Sequence, residues 1–447
     1  MYATHPITLL DFVIAIASAV DQMDARVACH HKRVAYIASQ IAREMRVPLK
    51  TQHDLIIAGL LHDIGSFSVS ERNLLSSYDE AEDNTHCEAG YLLLNKFRHF
   101  FVAATIIRHH HREYSQRCTN EKHHSVAMES MLLHLADRIE VLIDKGQPVL
   151  EQVDRIVATI ARDSGTRFNP DHVDAFAELA WRESFWLDVV SPTLERELVA
   201  SCRNHSVELD NNDLLELAEF VARVVDFRSH FTATHSSGVA SVATELASLV
   251  GFSEVECRNI RLAGYLHDVG KLVIPLEILQ KEGKLSSAEF RTIKSHAYHT
   301  HRILEPLQGF KEIRSWASMH HERLDGNGYP GRYHAAAIPL GARIIAIADV
   351  FTALLEDRPY RKSLGKVAVI QQLQDLAQRK VLDRKVVEVL LANFENIDTC
   401  RCHAQSEARQ EYLRFGETIA KRSKPQLLST YEEQLGACAQ CMPLPGE

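Results

Sequence analysis

The histidines and aspartates of this 447-residue chain occur in the same order in each half. In both halves, 32 residues separate a single aligned histidine from the histidine of an adjacent His-Asp pair: His30 precedes the pair at 62–63, and His235 precedes the pair at 267–268. A repeat of this length indicates a duplicated domain rather than a solenoid. The sequence therefore predicts two tandem copies of one fold.

The second half contains the most distinctive segment, HHERLDGNGYP at 320–330. Gly326, Gly328 and Pro330 disfavour a helix here, so we expect the adjacent histidines at a helix end beside a rigid loop. Imidazoles and carboxylates are ligands for divalent first-row metals. The repeated pattern offers seven such groups, too many for one ion and enough for two: His235, His267, Asp268, His296, His320, His321 and Asp349.

The first half retains a complete potential ligand set. Here RHHHRE at 108–113 aligns with MHHERL, and Ser66 takes the place of Lys271. A Tyr-Ser-Gln stretch at 114–116 replaces the Gly-Tyr-Pro turn. The predicted second metal site consists of His30, His62, Asp63, His86, His109, His110 and Asp137.

Three motifs carry a family resemblance: LHDVGK at 266–271, the segment 320–330, and ARIIAIADVFTALLEDRPYR at 342–361. In this order and spacing, the C-terminal half resembles the HD-GYP branch of the HD phosphohydrolase superfamily, and the first half resembles a divergent HD domain. The resemblance implies all-helical domains and a centre of two or three metals. It also implies hydrolysis of bacterial cyclic dinucleotides such as cyclic di-GMP.

The resemblance divides the ligands between two ions, with His235, His267 and Asp349 at one and His296, His320 and His321 at the other. Adjacent residues on a helix point about 100° apart, so Asp268 can bridge the ions while His267 completes one of them. Lys271 would stabilise transition-state charge or help to protonate the leaving oxygen. The alternative is a surface lysine at a helix end, and the position of Lys271 in the HDVGK motif favours the catalytic role.

Tyr329, Arg358 and Arg361 are the predicted substrate contacts, whereas Arg323 and Asp325 are expected to pair with each other and fix the loop. Some family members hold a third metal through a glutamate, but this chain has Phe231 there. We therefore expect two ions.

His/Asp sites accept several metals, and availability decides among them. The family resemblance implies iron first, then manganese. Many members also have an aspartate where this chain has Ser229. A slower or differently selective enzyme would follow from that loss.

Composition supports an all-α protein, since Gly and Pro number only 19 and 13. We expect an HD domain at 1–204, an HD-GYP domain at 205–425 and a flexible tail at 426–447. Trp181 and Trp186 are expected in the core. The cysteine pairs at 400–403 and 438–441 lack the spacing of a standard zinc finger and are interpreted as incidental.

The net charge of −9 is the wrong sign for binding DNA or RNA polymers. The apolar run at 12–20 is shorter than the about 20 residues that span a bilayer. Nine cysteines without a disulfide-like framework fit a reducing compartment. We expect a cytoplasmic protein without membrane attachment, and a homodimer or a regulatory protein partner remains open.

The leading hypothesis is a phosphodiesterase that converts cyclic di-GMP or 3′,3′-cyclic GMP-AMP to a linear dinucleotide. A second hypothesis is a non-catalytic cyclic-nucleotide-binding or scaffold protein. A third is an HD nucleotidase that acts from the N-terminal site. The N-terminal copy is thus either a silent module for dimerisation or regulation, or a second working centre.

Overall fold

The computed structural model describes residues 7–22, 29–66, 78, 85–116, 124–202, 207–228, 233–281, 283–357 and 362–421. The chain divides into two compact units between Glu208 and Leu209. Within the described ranges there is no strand, only isolated bridges, and the predicted all-α class is confirmed. The predicted boundary at 204 and the predicted tail at 426–447 fall on residues outside these ranges.

The first unit contains the following α-helices: α1 (Leu9–Asp21), α2 (His30–Glu44), α3 (Leu49–Leu61), α4 (Thr85–Leu94), α5 (Phe101–Arg108), α6 (His124–Val141), α7 (Val153–Arg162), α8 (Pro170–Ala180), α9 (Glu183–Val189) and α10 (Leu194–Cys202). Helix α1 begins at a capping box, in which the Thr8 side chain accepts from Asp11 N and the Asp11 carboxylate accepts from Thr8 N. Helix α2 lies at the centre and packs against α3, α6 and α8.

The second unit contains α11 (Asn211–Phe227), α12 (His235–Val250), α13 (Glu254–Leu266), α14 (Leu276–Leu279), α15 (Ser287–Lys294), α16 (His296–Leu304), α17 (Lys311–Ser318), α18 (Leu340–Leu355), α19 (Lys366–Gln378), α20 (Arg384–Ala392) and α21 (Phe394–Ala420). Helix α12 is central here and packs against α13, α18 and α21. Its C-terminus is set by Gly251, whose φ of 97° is readily adopted by glycine.

The same close helix contact occurs in both units. A Cβ on Gly59 would lie 2.6 Å from Ala35 Cα, and a Cβ on Gly264 would lie 2.6 Å from Ala240 Cα. Only a glycine lets α2 approach α3, and α12 approach α13, this closely. Because each glycine lies three residues before the histidine of a His-Asp pair, this contact sets the position of that pair.

The two tryptophans have different environments. Trp186 is fully buried, and its Nε1 donates a 3.0 Å hydrogen bond to Ala180 O. Trp181, by contrast, is 83% exposed, and the expectation of a core position was wrong. Trp181 is the C-cap of α8, where the chain leaves the packed helix face.

Among the described residues, no helix combines the length and apolar character needed to cross a membrane.

Candidate metal centres

The predicted ligands of the second unit converge from helix ends. Two histidines are the first residues of helices, three histidines and Asp268 follow helix C-termini, and Asp349 lies within α18. The nearest ligand atoms fall into two groups, His235 with His267 and Asp268, and His296 with His320 and His321. Each group has its ligand atoms within 4.8 Å of one another.

Asp268 faces both groups. Its Oδ2 lies 3.2 Å from His267 Nε2, and its Oδ1 lies 3.4 Å from His296 Nε2. One carboxylate therefore presents an oxygen to each group, which is the geometry of a bridging ligand.

Backbone carbonyls orient three of the imidazoles. Nδ1 of His267 donates to Gly264 O at 2.7 Å, Nδ1 of His296 to Ile293 O at 2.6 Å, and Nδ1 of His320 to Ala317 O at 2.6 Å. Each acceptor lies three residues earlier in the chain, on the preceding turn. These bonds fix the tautomer and leave Nε2 as the ligand atom in each ring.

His235 is oriented differently. Its Nδ1 lies 3.0 Å from Glu356 Oε2, while its Nε2 lies 3.1 Å from Asp349 Oδ1. Gln405 donates to the other Glu356 oxygen at 2.5 Å. Sequence reasoning missed Glu356, although it follows Asp349 by seven residues, two helical turns along one face.

The arrangement fits divalent cations. His296 Nε2 and His320 Nε2 face each other at 3.2 Å, close to the about 3.0 Å between neighbouring ligands bonded at about 2.1 Å to one ion. Burial lowers the pKa of His296 to about 4 and that of His321 to about 3, so both imidazoles are neutral at pH 7. Neutral imidazole is the form that binds metal.

Lys271 lies against the bridging carboxylate. Its Nζ donates to Asp268 Oδ2 at 2.6 Å, and its side chain is only 21% exposed. Burial raises the pKa of Asp268, but Lys271 and His267 outweigh burial and hold that pKa well below its usual range. Lys271 is thus part of the centre, as the catalytic hypothesis requires.

The 320–330 loop is fixed by a buried glutamate that sequence reasoning missed. Glu322 is 4% exposed and accepts hydrogen bonds from Gly331 N at 2.6 Å and Tyr333 N at 3.0 Å. Arg323 pairs with Asp325 at 2.5 Å, so that expectation is confirmed. Both contacts hold the loop in one conformation.

Tyr329 lies at the edge of the second ligand group. Its ring centroid is 4.7 Å from that of His321, and Lys294 Nζ lies 5.1 Å from the same tyrosine ring. Burial raises the pKa of the Tyr329 hydroxyl, which therefore stays protonated. The ring is placed where a ligand of the centre could contact it.

The first unit also assembles two ligand groups. His30 Nε2 lies 3.2 Å from His62 Nε2 and 3.4 Å from Asp137 Oδ1. Asp63 places Oδ2 3.3 Å from His62 Nε2 and Oδ1 3.7 Å from His86 Nε2. Asp63 therefore faces both groups, as Asp268 does in the second unit.

The paired histidines of the first unit are His110 and His111, one residue later than our alignment placed them. His110 Nδ1 donates to Ile107 O at 2.7 Å, and His111 Nε2 lies 3.0 Å from His86 Nε2. His109 is the C-cap of α5 and belongs to none of the ligand groups among the described residues, so its assignment is corrected. Spacing could have found this, because 24 residues separate His86 from His110 and His296 from His320.

Two HD domain models match the chain, over residues 27–142 and 219–386. The chain is 31% identical over 398 residues to 3′3′-cGAMP-specific phosphodiesterase 1 of Vibrio cholerae, covering 87% of this chain and 92% of that protein. This chain belongs to the HD-GYP branch of the HD phosphohydrolases. The second unit is its HD-GYP domain, and the first is a divergent HD domain.

Another relative matches part of the chain, and a solved structure shares its fold. The cyclic di-GMP phosphodiesterase response regulator RpfG of Xanthomonas campestris is 38% identical over 202 residues, which cover 44% of this chain and 52% of that protein. The crystal structure of a cyclic GMP-AMP phosphodiesterase of Vibrio cholerae superposes with a TM-score of 0.61 at 23% identity. That match covers 88% of this chain and 98% of the solved chain, and it shows a shared fold.

Four residues that figured in the sequence analysis lie outside the described residues. They are Ser229, Phe231, Arg358 and Arg361. The predicted phosphate contacts and the predicted absence of a third metal therefore stay predictions. Cys400 and Cys402 lie on α21, whereas the pair at 438–441 also lies outside the described residues.

The N-terminal HD domain differs in its charged groups. Glu140 Oε2 lies 2.6 Å from His30 Nδ1. Burial opposes positive charge on this imidazole, but the Glu140 carboxylate outweighs burial and raises the pKa of His30 to about 9. Arg138, which is fully buried, donates to Asp137 Oδ2 at 2.6 Å. At the place of Lys271, Ser66 supplies no cation.

Proposed function

We propose that the HD-GYP domain is a phosphodiesterase that hydrolyses a cyclic dinucleotide to a linear dinucleotide. One observation carries the proposal: Asp268 presents one oxygen to each of two ligand groups and holds Lys271 at 2.6 Å. This arrangement suits a phosphodiester, whose hydrolysis needs an activated water and stabilisation of charge on phosphoryl oxygens.

In this proposal the HD-GYP domain holds two divalent ions, with iron the first candidate and manganese the second. Imidazole and carboxylate ligands accept either metal. When bound, such ions supply Lewis acidity and lower the pKa of water. The ligands are His235, His267, Asp268, His296, His320, His321 and Asp349.

The residues of the chain have separate tasks in this proposal. Backbone carbonyls hold the imidazoles with Nε2 toward the ions, which avoids reorganisation during the reaction. Lys271 supplies positive charge where negative charge develops on the phosphoryl group or the leaving oxygen. Tyr329 packs on the nucleotide, and Arg358 and Arg361 contact its phosphates.

We propose 3′,3′-cyclic GMP-AMP as the first substrate to test and cyclic di-GMP as the second. The relative that matches 87% of this chain is specific for 3′,3′-cyclic GMP-AMP, whereas cyclic di-GMP phosphodiesterases such as RpfG match 44% or less. The proposed location is the cytoplasm, since cysteine usage fits a reducing compartment. A homodimer or a regulatory protein partner is compatible with this proposal.

The test is hydrolysis of both nucleotides by the full chain, loaded anaerobically with Fe(II) or Mn(II). We expect Asp268→Ala to reduce turnover by about 100-fold or more, because both ligand groups lose their shared carboxylate. Asp375→Asn, an exposed change on α19, is the matched control and should turn over at the wild-type rate.

Two results would contradict the proposal. One is full turnover by Asp268→Ala. The other is a wild-type protein with filled metal sites that leaves both nucleotides intact. In the second case, equilibrium dialysis with the same nucleotides would test the alternative of a binding or scaffold protein.

A further inference from the structure

Helix α15 lies directly before one of the ligand groups of the HD-GYP domain and buries none of its side chains. It ends at Lys294, two residues before the predicted ligand His296, and Ile293 O accepts the hydrogen bond from His296 Nδ1. The same helix exposes 49% of Phe290. A large aromatic ring is therefore presented to solvent beside the candidate metal centre.

Lys294 connects the Phe290 ring to the Tyr329 ring. Its Nζ lies 4.8 Å from the Phe290 ring centroid and 5.1 Å from the Tyr329 ring centroid. The centroids of the Tyr329 and His321 rings are in turn 4.7 Å apart. Cation–π contacts of this length are attractive and hold a lysine over aromatic faces. A cation and an exposed aromatic ring thus extend outward from the second ligand group.

The positive charge of Lys294 has no carboxylate partner among the described residues. The other cations near the centre are paired, Lys271 with Asp268 and Arg323 with Asp325. A lysine without such a partner attracts an anionic ligand, and lysine is a common phosphate-binding residue.

The N-terminal copy differs at both positions in its sequence. The residues six and two positions before His86 are Glu80 and Asn84, which align with Phe290 and Lys294. The same copy also has another sequence in place of the Gly-Tyr-Pro turn. The aromatic ring, the cation and the turn therefore occur together in one copy and are all replaced in the other, as expected of groups that serve one ligand.

We propose that Phe290 and Lys294, next to Tyr329, form the subsite for the half of the cyclic dinucleotide that is not being cleaved. This inference rests on the proposed function. With one phosphodiester at the ions, the second phosphodiester and the purines extend beyond them. Phe290 stacks on a purine, and Lys294 donates to the second phosphodiester.

This subsite contributes affinity rather than base selectivity. Every purine offers a π-face for stacking, and the phosphodiester is common to both candidate nucleotides. The subsite makes and breaks no covalent bond. Changes at Phe290 or Lys294 are therefore expected to act on KM more than on kcat, and similarly for both nucleotides.

The first experiment compares two substrates of the full chain loaded with Mn(II). One is the cyclic dinucleotide, and the other is methyl p-nitrophenyl phosphate, a phosphodiester that has neither a purine nor a second phosphate. In Phe290→Leu and in Lys294→Gln, the ratio of kcat/KM for the cyclic dinucleotide to kcat/KM for the small diester should fall about 10-fold, through KM. An equal loss for both substrates would place the effect at the metal centre and overturn the proposal.

Three further variants separate stacking from other effects. Phe290→Trp keeps an aromatic face and should retain a KM close to that of wild type. Phe101→Leu and Lys385→Gln are the matched controls and should follow the wild type, since Phe101 is 59% exposed in the first unit and Lys385 is exposed on α20. Because α15 buries none of its side chains, substitutions there should leave the fold intact.

Binding without turnover is measured by equilibrium dialysis with the bisphosphorothioate analogue of 3′,3′-cyclic GMP-AMP, which resists hydrolysis. Phe290→Leu and Lys294→Gln should each bind this analogue about 10-fold more weakly than wild type. Wild-type dissociation constants in both variants would overturn the inference, and so would a wild-type protein that does not bind the analogue.

These measurements distinguish the two proposals. Weaker binding in the variants, together with a wild type that cleaves neither nucleotide, would remove the proposed hydrolysis and leave the subsite. Turnover by wild type, with wild-type KM and affinity in the variants, would remove the subsite and leave the hydrolysis.

Discussion

At the scale of single residues, the hydrogen-bond partners of the histidines decide which ring nitrogen is left to bind a metal. His267, His296 and His320 each donate Nδ1–H to a carbonyl on the preceding turn. The Nδ1 of His235 lies instead 3.0 Å from the Glu356 carboxylate. The two kinds of partner respond differently to mutation, because a substitution can remove a carboxylate but cannot remove a backbone carbonyl.

Glu356→Gln should weaken metal binding by about 10- to 100-fold, because an uncharged partner makes the His235 imidazole a poorer ligand. The measurement is Mn(II) affinity by competition with a chelator. Glu388→Gln changes an exposed glutamate on α20 and serves as the control. Equal affinities for the two variants would show that Glu356 has no such role.

His172 should make the N-terminal unit sensitive to acid. Burial lowers its pKa to about 4 from 6.5, so between these values the unfolded chain binds more protons than the folded one. Stability is therefore complete above pH 6.5 and falls as the pH drops toward 4, by about 2 kcal/mol at pH 5.

Denaturant unfolding of metal-free protein at pH 7 and pH 5 tests this prediction. His172→Leu should lose about 2 kcal/mol less than wild type over that interval. His403→Gln alters an exposed histidine and should follow the wild type. An identical pH response in wild type and His172→Leu would exclude the effect.

At the scale of helices, one glycine in each unit sets both the packing of two helices and the orientation of a histidine in the candidate metal centre. Gly264 lets α13 approach α12 and also supplies the carbonyl that orients His267. In the N-terminal unit, Gly59 lets α3 approach α2 in the same way. Its carbonyl oxygen accepts a 2.9 Å hydrogen bond from His62 Nδ1. A packing change at this position therefore alters a metal ligand as well.

Gly264→Ala should lower the free energy of unfolding by about 2 kcal/mol or more, since its Cβ would lie 2.6 Å from Ala240 Cα. Metal affinity of the HD-GYP domain should fall with it, because His267 moves with the helix. Gly283→Ala is the control, as a Cβ there meets no atom within 4 Å. Wild-type stability and affinity in Gly264→Ala would contradict this account.

At the scale of the whole molecule, duplication produced two centres with different ligands. Each unit has an aspartate that faces two groups of histidines, Asp63 in one and Asp268 in the other. Among the residues that the structure describes, only those of the HD-GYP domain add a lysine and a glutamate-fixed loop. Hydrolysis is therefore expected from one centre alone.

Asp63→Ala should leave cyclic dinucleotide turnover within about twofold of wild type while lowering the metal content of the chain. Steady-state kinetics and elemental analysis of the same preparation measure both quantities. Loss of turnover together with an intact HD-GYP metal content would instead assign a part of the cyclic dinucleotide activity to the N-terminal centre.

The sequence alone determined the fold class and the duplication, and it predicted the residues that lie together in the HD-GYP domain, because ligand type and spacing are properties of the chain. Our alignment chose the wrong two of His109, His110 and His111 for the N-terminal groups, although the 24-residue spacing from His86 to His110 matches that from His296 to His320. Nor did it identify Glu356, because this residue does not belong to the repeated ligand pattern.

Tertiary structure decided these points for a physical reason. Helix ends fix the direction of each imidazole, and packing across many residues brings groups such as His30 and Glu140 to 2.6 Å. Their pKa values and their capacity to hold metal then follow from burial and from neighbours distant in sequence. Residue types are local information, whereas the charge and orientation of a buried group depend on its surroundings in the fold.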